Sequence, residues 1–341
     1  MKGRVAVLGA GSWGTVLAAV LADNGHDVTL WARREEQAQE IDQAHTNRKY
    51  LPDVKLPETL RATSSLSEAL KGKEAVLFAV PSHSMREIAR EARRWIEADA
   101  LVIHAAKGFE IDSLKRMSEV LAEELGASYA DRITVLSGPS HAEEVIRRCP
   151  TTVVVASQSA QAAEQAQMLF MNTYFRVYTN PDVIGVEVGG ALKNIIALSA
   201  GLVDGLGFGD NAKAALLTRG LAEIARLGHA MGAEPITFVG LAGVGDLVVT
   251  CTSSHSRNWR AGHMISQGKK LDEVLATMGM VVEGVRTTKA AYVLKERYQV
   301  EMPIAEQLYS VLFADKDPEQ AVKELMGRGR TQELEEIIGG W

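Results

Sequence analysis

Short apolar runs alternate with amphipathic stretches through the first half of the chain, at 4–8, 27–31, 75–80, 101–104, 133–136, 152–156 and 175–178. Each is about strand length, and most end at Gly, Pro or Ser. The pattern predicts a mostly parallel sheet with helices on both faces. After Asn180-Pro181 strand-like runs nearly vanish. Helices are expected over 183–206, 211–231, 257–267, 285–297, 304–313 and 318–326, with a terminal amphipathic helix at 334–338. The change of character divides the chain into an α/β domain over 1–180 and an all-helical domain over 181–341.

The first strand runs directly into Gly9-Ala10-Gly11-Ser12-Trp13-Gly14, followed by an amphipathic helix over 12–23. Strand, GxGxxG turn and helix in that order make a dinucleotide site. Gly9 permits the tight turn, Gly11 has no Cβ to hold a pyrophosphate away, and Gly14 lets helix and strand pack closely. The helix then turns its unpaired N–H groups toward the phosphates. This is the start of a Rossmann-like domain. At the end of the second strand an NAD-specific fold usually places Asp or Glu to hold the ribose 2′-hydroxyl. This chain has Arg33-Arg34 instead, whose guanidinium groups suit a 2′-phosphate. NADPH is therefore the expected cofactor, with NADH left open; Glu35 and Glu36 keep alive the alternative that the arginines only flank a solvated helix start.

The 183–206 helix carries Val186, Leu192, Ile195, Ile196 and Leu198 and is apolar around most of its circumference. Lys193 and Asn194 stand out on it. A buried ammonium costs on the order of several kcal/mol unless it is paired or neutral. Desolvation also moves a lysine toward the range useful for proton transfer, so Lys193 is the candidate acid and base. The alternative is a lysine that snorkels or bridges two domains. Asp246 is a candidate partner for its charge, or else a helix N-cap. Ser256-Arg257-Asn258 puts a hydroxyl, a guanidinium and an amide at a predicted helix start, which suits a phosphate or simply caps the helix. Lys107, leaving the fourth strand, offers a second cation from the first domain.

Composition narrows the classes. A net charge of −6 and dispersed arginine pairs argue against a nucleic-acid or membrane-surface partner. Cys149 and Cys251 form no disulfide framework and no metal spacing, which fits a reducing cytoplasm. The apolar N-terminus is interrupted by fingerprint glycines, so it is not read as a secretory signal. No uninterrupted apolar run reaches membrane-spanning length, and no integral membrane segment is expected. Neither a metal-ligand cluster nor a nucleophile elbow is present in the sequence.

Taken with Ala105-Ala106-Lys107-Gly108, Ser137-Gly138-Pro139-Ser140-His141-Ala142, Glu187-Val188-Gly189-Gly190-Ala191-Leu192-Lys193-Asn194 and Gly243-Val244-Gly245-Asp246-Leu247, these motifs span nearly the whole chain. In this order they resemble the bacterial NAD(P)-dependent glycerol-3-phosphate dehydrogenases. The resemblance implies a helical domain similar to that of 6-phosphogluconate dehydrogenase, and reversible reduction of dihydroxyacetone phosphate to sn-glycerol 3-phosphate for glycerophospholipid synthesis. It implies Lys193 as general acid and base, with Lys107, Gly138, Ser140, Asp246, Ser256, Arg257 and Asn258 lining the substrate. Ser12, Trp13, Arg33, Arg34, Lys107, Ala142, Arg257, Val281 and Glu283 would contact the dinucleotide. Ser140 stands where the family often has Thr, and Trp13 where other members carry Phe or Tyr. The competing readings are a ketopantoate or 3-hydroxyacid reductase of the same superfamily, and a non-catalytic dinucleotide sensor. The apolar helices of the second domain allow a homodimer.

Overall fold

A computed structural model of the chain describes residues 2–329, so the helix expected at 334–338 lies outside the described residues. The described chain forms two compact units, one of 2–106 and 117–183, the other of 107–116 and 184–329.

The first unit is built on one eight-stranded sheet: β1 (Arg4–Leu8), β2 (Asp27–Trp31), β3 (Arg61–Thr63), β4 (Ala75–Phe78), β5 (Leu101–His104), β6 (Thr134–Ser137), β7 (Thr151–Ala156) and β8 (Phe175–Asn180), in spatial order 3-2-1-4-5-6-7-8. All neighbouring pairs are parallel except β6 with β7. Burial on both faces follows from the alternation along β1. Val5 and Val7 pack on one side with Val16, Leu17 and Leu21 of the Ser12–Asp23 helix, while Ala6 and Leu8 pack on the other with Phe78, Val120 and Leu121. Each of the Val, Leu and Phe side chains so removed from water contributes about 1.5–3 kcal/mol. Strand β3 has no counterpart in the apolar pattern. It is three residues long, lies at the sheet edge and buries little, so it carries no run to read.

In the second unit the Val183–Gly205 helix is long and apolar enough to cross a membrane, and 94% of its apolar stretch is buried within the protein. It is the central core helix, with Val188, Leu192, Ile195 and Leu198 in one cluster with Leu247, Cys251 and Ala261. The Arg257–Ser266 helix lies against it at backbone distance. A Cβ at Gly201 would meet the Trp259 carbonyl oxygen at 2.0 Å, and one at Gly262 would meet the Leu198 oxygen at 1.9 Å. Two helices at Asp246–Thr252 and Leu271–Met278 are additional to the pattern. The first is only seven residues long and follows a glycine-rich turn whose Gly243 has non-helical dihedrals, so its sequence reads as loop.

The division between units is not a single cut near residue 180. Lys107–Arg116 belongs with the helices. Phe109 and Leu114 are buried in the helical core, and Arg116 donates to Glu187 at 2.6 Å. Local periodicity carries no trace of this, because the segment is held by residues far along the chain.

A buried carboxylate sets a pH limit within the same unit. Glu223 accepts hydrogen bonds from Ile304 N (2.7 Å) and Ala305 N (3.3 Å), capping the Pro303–Phe313 helix. Burial pushes it up to about 7, against those two N–H groups and Arg226 and together with Glu306. A carboxyl raised in the folded state adds stability that is complete below its unfolded pKa and is lost as pH rises through about 7. Glu223→Gln should therefore gain on the parent in melting temperature as pH rises through that window. Parallel melting curves across the whole range would remove Glu223 from the pH dependence.

Candidate active site

Lys193 sits on the central helix with 6% of its surface exposed. Its Nζ contacts the Asp246 carboxylate and donates to Thr250 Oγ1 at 2.7 Å. Asp246 is 1% exposed and opens the Asp246–Thr252 helix without capping it: Gly245 is the N-cap residue, and the carboxylate faces ammonium groups instead. Lys107 Nζ meets its other oxygen at 2.7 Å. Thr250, one turn on, donates to the Asp246 carbonyl at 2.6 Å and so presents a lone pair to Lys193. Lys107 thus belongs to the same unit as Lys193 and shares its carboxylate, which replaces the expectation of a cation reaching in from the first domain.

Two ammonium groups on one carboxylate leave the buried cluster with a net positive charge when both are protonated. Burial lowers Lys193 to about 8, with Asp246 holding it up and Lys107 pushing it further down. Burial alone would raise Asp246, but the two lysines outweigh it and keep its carboxyl below the usual range. The neighbouring Cys251 thiol is pushed up to about 12 by burial and stays a thiol. The cluster therefore holds one group whose proton affinity is lowered to about 8, sharing its carboxylate with a second lysine.

Ser256 caps the Arg257–Ser266 helix, accepting from Trp259 N at 3.2 Å. Asn258 is buried, donating to Asn194 Oδ1 and accepting from Gly284 N, both at 2.8 Å. Arg257 is exposed and donates to the Val281 carbonyl at 3.1 Å, with Glu283 two residues further on at the start of the Glu283–Tyr298 helix. Asn194, adjacent to Lys193, thereby ties the central helix to the Arg257 helix. Thr250 and this use of Asn194 went unread in the sequence, although the four-residue spacing from Asp246 to Thr250 could have pointed to the first.

In the first unit Gly9 has φ +114°, and a Cβ on Gly14 would sit 1.9 Å from the Gly9 carbonyl oxygen. A Cβ on Gly11 meets nothing within 4 Å, and no side chain caps the Ser12–Asp23 helix. Open space before a helix start with uncapped amides fits a pyrophosphate. Ser12 donates to the Tyr50 carbonyl, and Trp13 is half-buried against the core. Arg33 and Arg34 are exposed just past β2. Gly138 and Ser140 follow β6, where Ser140 Oγ donates to the Gly138 carbonyl at 2.9 Å, and Ala142 opens the short Ala142–Val145 helix. Among the described residues no cluster of His, Cys, Asp or Glu could hold a metal ion.

A doubly wound sheet with a glycine turn, together with a helical unit in which a buried and a half-buried lysine share one aspartate, defines a two-unit dehydrogenase of the dinucleotide-binding class. The family model for the NAD-dependent glycerol-3-phosphate dehydrogenase N-terminus matches residues 4–163 and that for its C-terminus matches 182–323. A glycerol-3-phosphate dehydrogenase (NAD(P)+) of Geobacillus thermodenitrificans is 61% identical over 336 residues, covering 98% of each chain. The crystal structure of glycerol-3-phosphate dehydrogenase from Coxiella burnetii superposes with a TM-score of 0.91 at 40% identity, covering 96% of this chain and 99% of that one. A ketopantoate reductase from Ralstonia eutropha matches at a TM-score of 0.58 and 16% identity over 94% and 99% of the two chains, a likeness of fold alone. The chain belongs to the NAD-dependent glycerol-3-phosphate dehydrogenase family.

Proposed function

We propose that the protein interconverts dihydroxyacetone phosphate and sn-glycerol 3-phosphate with NADPH, and also with NADH, feeding glycerophospholipid synthesis in the cytoplasm. The observation that carries this reading is the buried Lys193, held between Asp246 and Thr250 with Lys107 on the same carboxylate. When bound, the reduced nicotinamide supplies the hydride that C2 of the substrate accepts. Lys193, as an ammonium, donates a proton to the carbonyl oxygen and is left neutral; in oxidation the neutral amine takes the hydroxyl proton back. Asp246 and Thr250 orient Nζ, and Lys107 adds positive charge where the alkoxide forms.

Arg257, Asn258 and the Ser256 hydroxyl hold the substrate phosphate in this reading, with Gly138 and Ser140 as further substrate contacts. The Gly9–Gly14 turn, Ser12 and Trp13 take the dinucleotide, Arg33 and Arg34 its 2′-phosphate, and Ala142, Val281 and Glu283 further parts of it. Arg257→Ala should raise KM for dihydroxyacetone phosphate roughly tenfold to a hundredfold by removing a charge-assisted partner of the phosphate; an unchanged KM would take Arg257 out of the site.

NADPH consumption with dihydroxyacetone phosphate, compared with ketopantoate and with no added substrate, tests the whole. Turnover of ketopantoate alone would favour the reductase reading, and cofactor binding without any turnover the sensor. The reading extends to a homodimer, which sedimentation showing a monomer at every concentration would remove.

A further inference from the structure

Behind the glycine turn lies a polar network that the reaction does not call on. Gln37, on the short helix after Arg33-Arg34, is buried at 9% exposure, and Asn47 is fully buried. Gln37 Nε2 donates to the Ala10 carbonyl at 2.6 Å and to Asn47 Oδ1 at 3.3 Å. Asn47 Nδ2 donates to the same Ala10 oxygen at 3.0 Å and to Thr15 Oγ1 at 2.8 Å. On its other side Gln37 Oε1 accepts from Arg34 Nη2 at 3.3 Å.

The chemistry of this position is narrow. The Ala10 oxygen can only accept and the Arg34 guanidinium can only donate, so the bridging group must donate at one end and accept at the other. An amide does both, and its orientation is thereby fixed. A carboxylate would oppose the carbonyl, and an ammonium would oppose the arginine. Two donors on the Ala10 oxygen also turn that peptide inward. Because C=O and N–H point opposite ways across a trans peptide, the Gly11 N–H is turned away from Gln37 and Asn47.

We propose that Gln37 is a positioning and specificity-determining residue for the dinucleotide, coupling the pyrophosphate turn at Ala10-Gly11 to the guanidinium of Arg34. The inference rests on the reading of Arg34 as a partner of the 2′-phosphate. Dissociation constants for NADPH and NADH, measured by quenching of protein fluorescence, test it in the parent, Gln37→Met, Arg34→Ala and the double variant, with melting temperature as a folding check. Gln37→Met should weaken NADH a few-fold through the unbraced turn, and NADPH about tenfold or more because Arg34 also loses its partner. In the Arg34→Ala background it should weaken both equally, since the two residues act through one contact. If Arg34→Ala lowers the NADPH preference but Gln37→Met does not, the coupling is overturned while the reading of Arg34 stands. If Arg34→Ala leaves the preference unchanged, both fall. Should Gln37→Met fail to fold, Gln37→Asn makes the same comparison with a polar amide one methylene too short to span both partners.

Discussion

Lys193→Ala is expected to lower kcat by about a hundredfold to ten-thousandfold, the range typical of losing a positioned general acid, while leaving the dissociation constant for NADPH near that of the parent. Unchanged turnover would remove Lys193 from the mechanism. The residue also dictates the sign of the pH dependence. Reduction uses the ammonium form, so kcat in that direction should fall as pH rises through about 8. Oxidation uses the neutral amine and should rise through the same value. The opposite slopes belong to one group, and a profile flat in both directions from neutrality to well above 8 would contradict proton transfer by this lysine.

Asp246→Asn carries the second large effect, on stability as much as on rate. The carboxylate is the shared countercharge of Lys107 and Lys193. Asparagine presents one oxygen and one N–H₂, so one ammonium keeps an acceptor and the other faces a donor. Removing one partner of a buried ion pair destabilises by about 3–5 kcal/mol, which urea unfolding would read directly. Burial already lowers Lys193 and Asp246 is what holds it up. Without the carboxylate, residual reduction should lose its ammonium form at lower pH. A variant with parental stability and an unmoved profile would mean that Asp246 does not set the charge of this cluster.

Much of this architecture is legible in the sequence alone. Seven of the eight strands correspond to apolar runs, since strands buried on both faces, such as β4 and β5, must be apolar along their length, and edge strand β8 still buries Phe175 and Val177. The missed strand β3 has three half-exposed or exposed residues at an edge, and nothing distinguishes it from loop. Glycines and helix-start residues were readable for the same local reason: tight turns and uncapped amides need particular residues at particular spacings. Gln37 and Asn47 were not readable. Each is an ordinary polar residue in the sequence, and only the fold brings both onto the Ala10 carbonyl.

The sequence by itself determined the alternation of elements, the dinucleotide turn and a lysine out of place on an apolar helix, because these depend on contacts among near neighbours. The tertiary structure decided that Lys107 joins the helical unit, that Asp246 serves two ammonium groups instead of capping its own helix, and that Thr250 completes the set. Those residues come from distant parts of the chain. Their proton affinities depend on how completely packing removes water around them, a property that no spacing along the sequence contains.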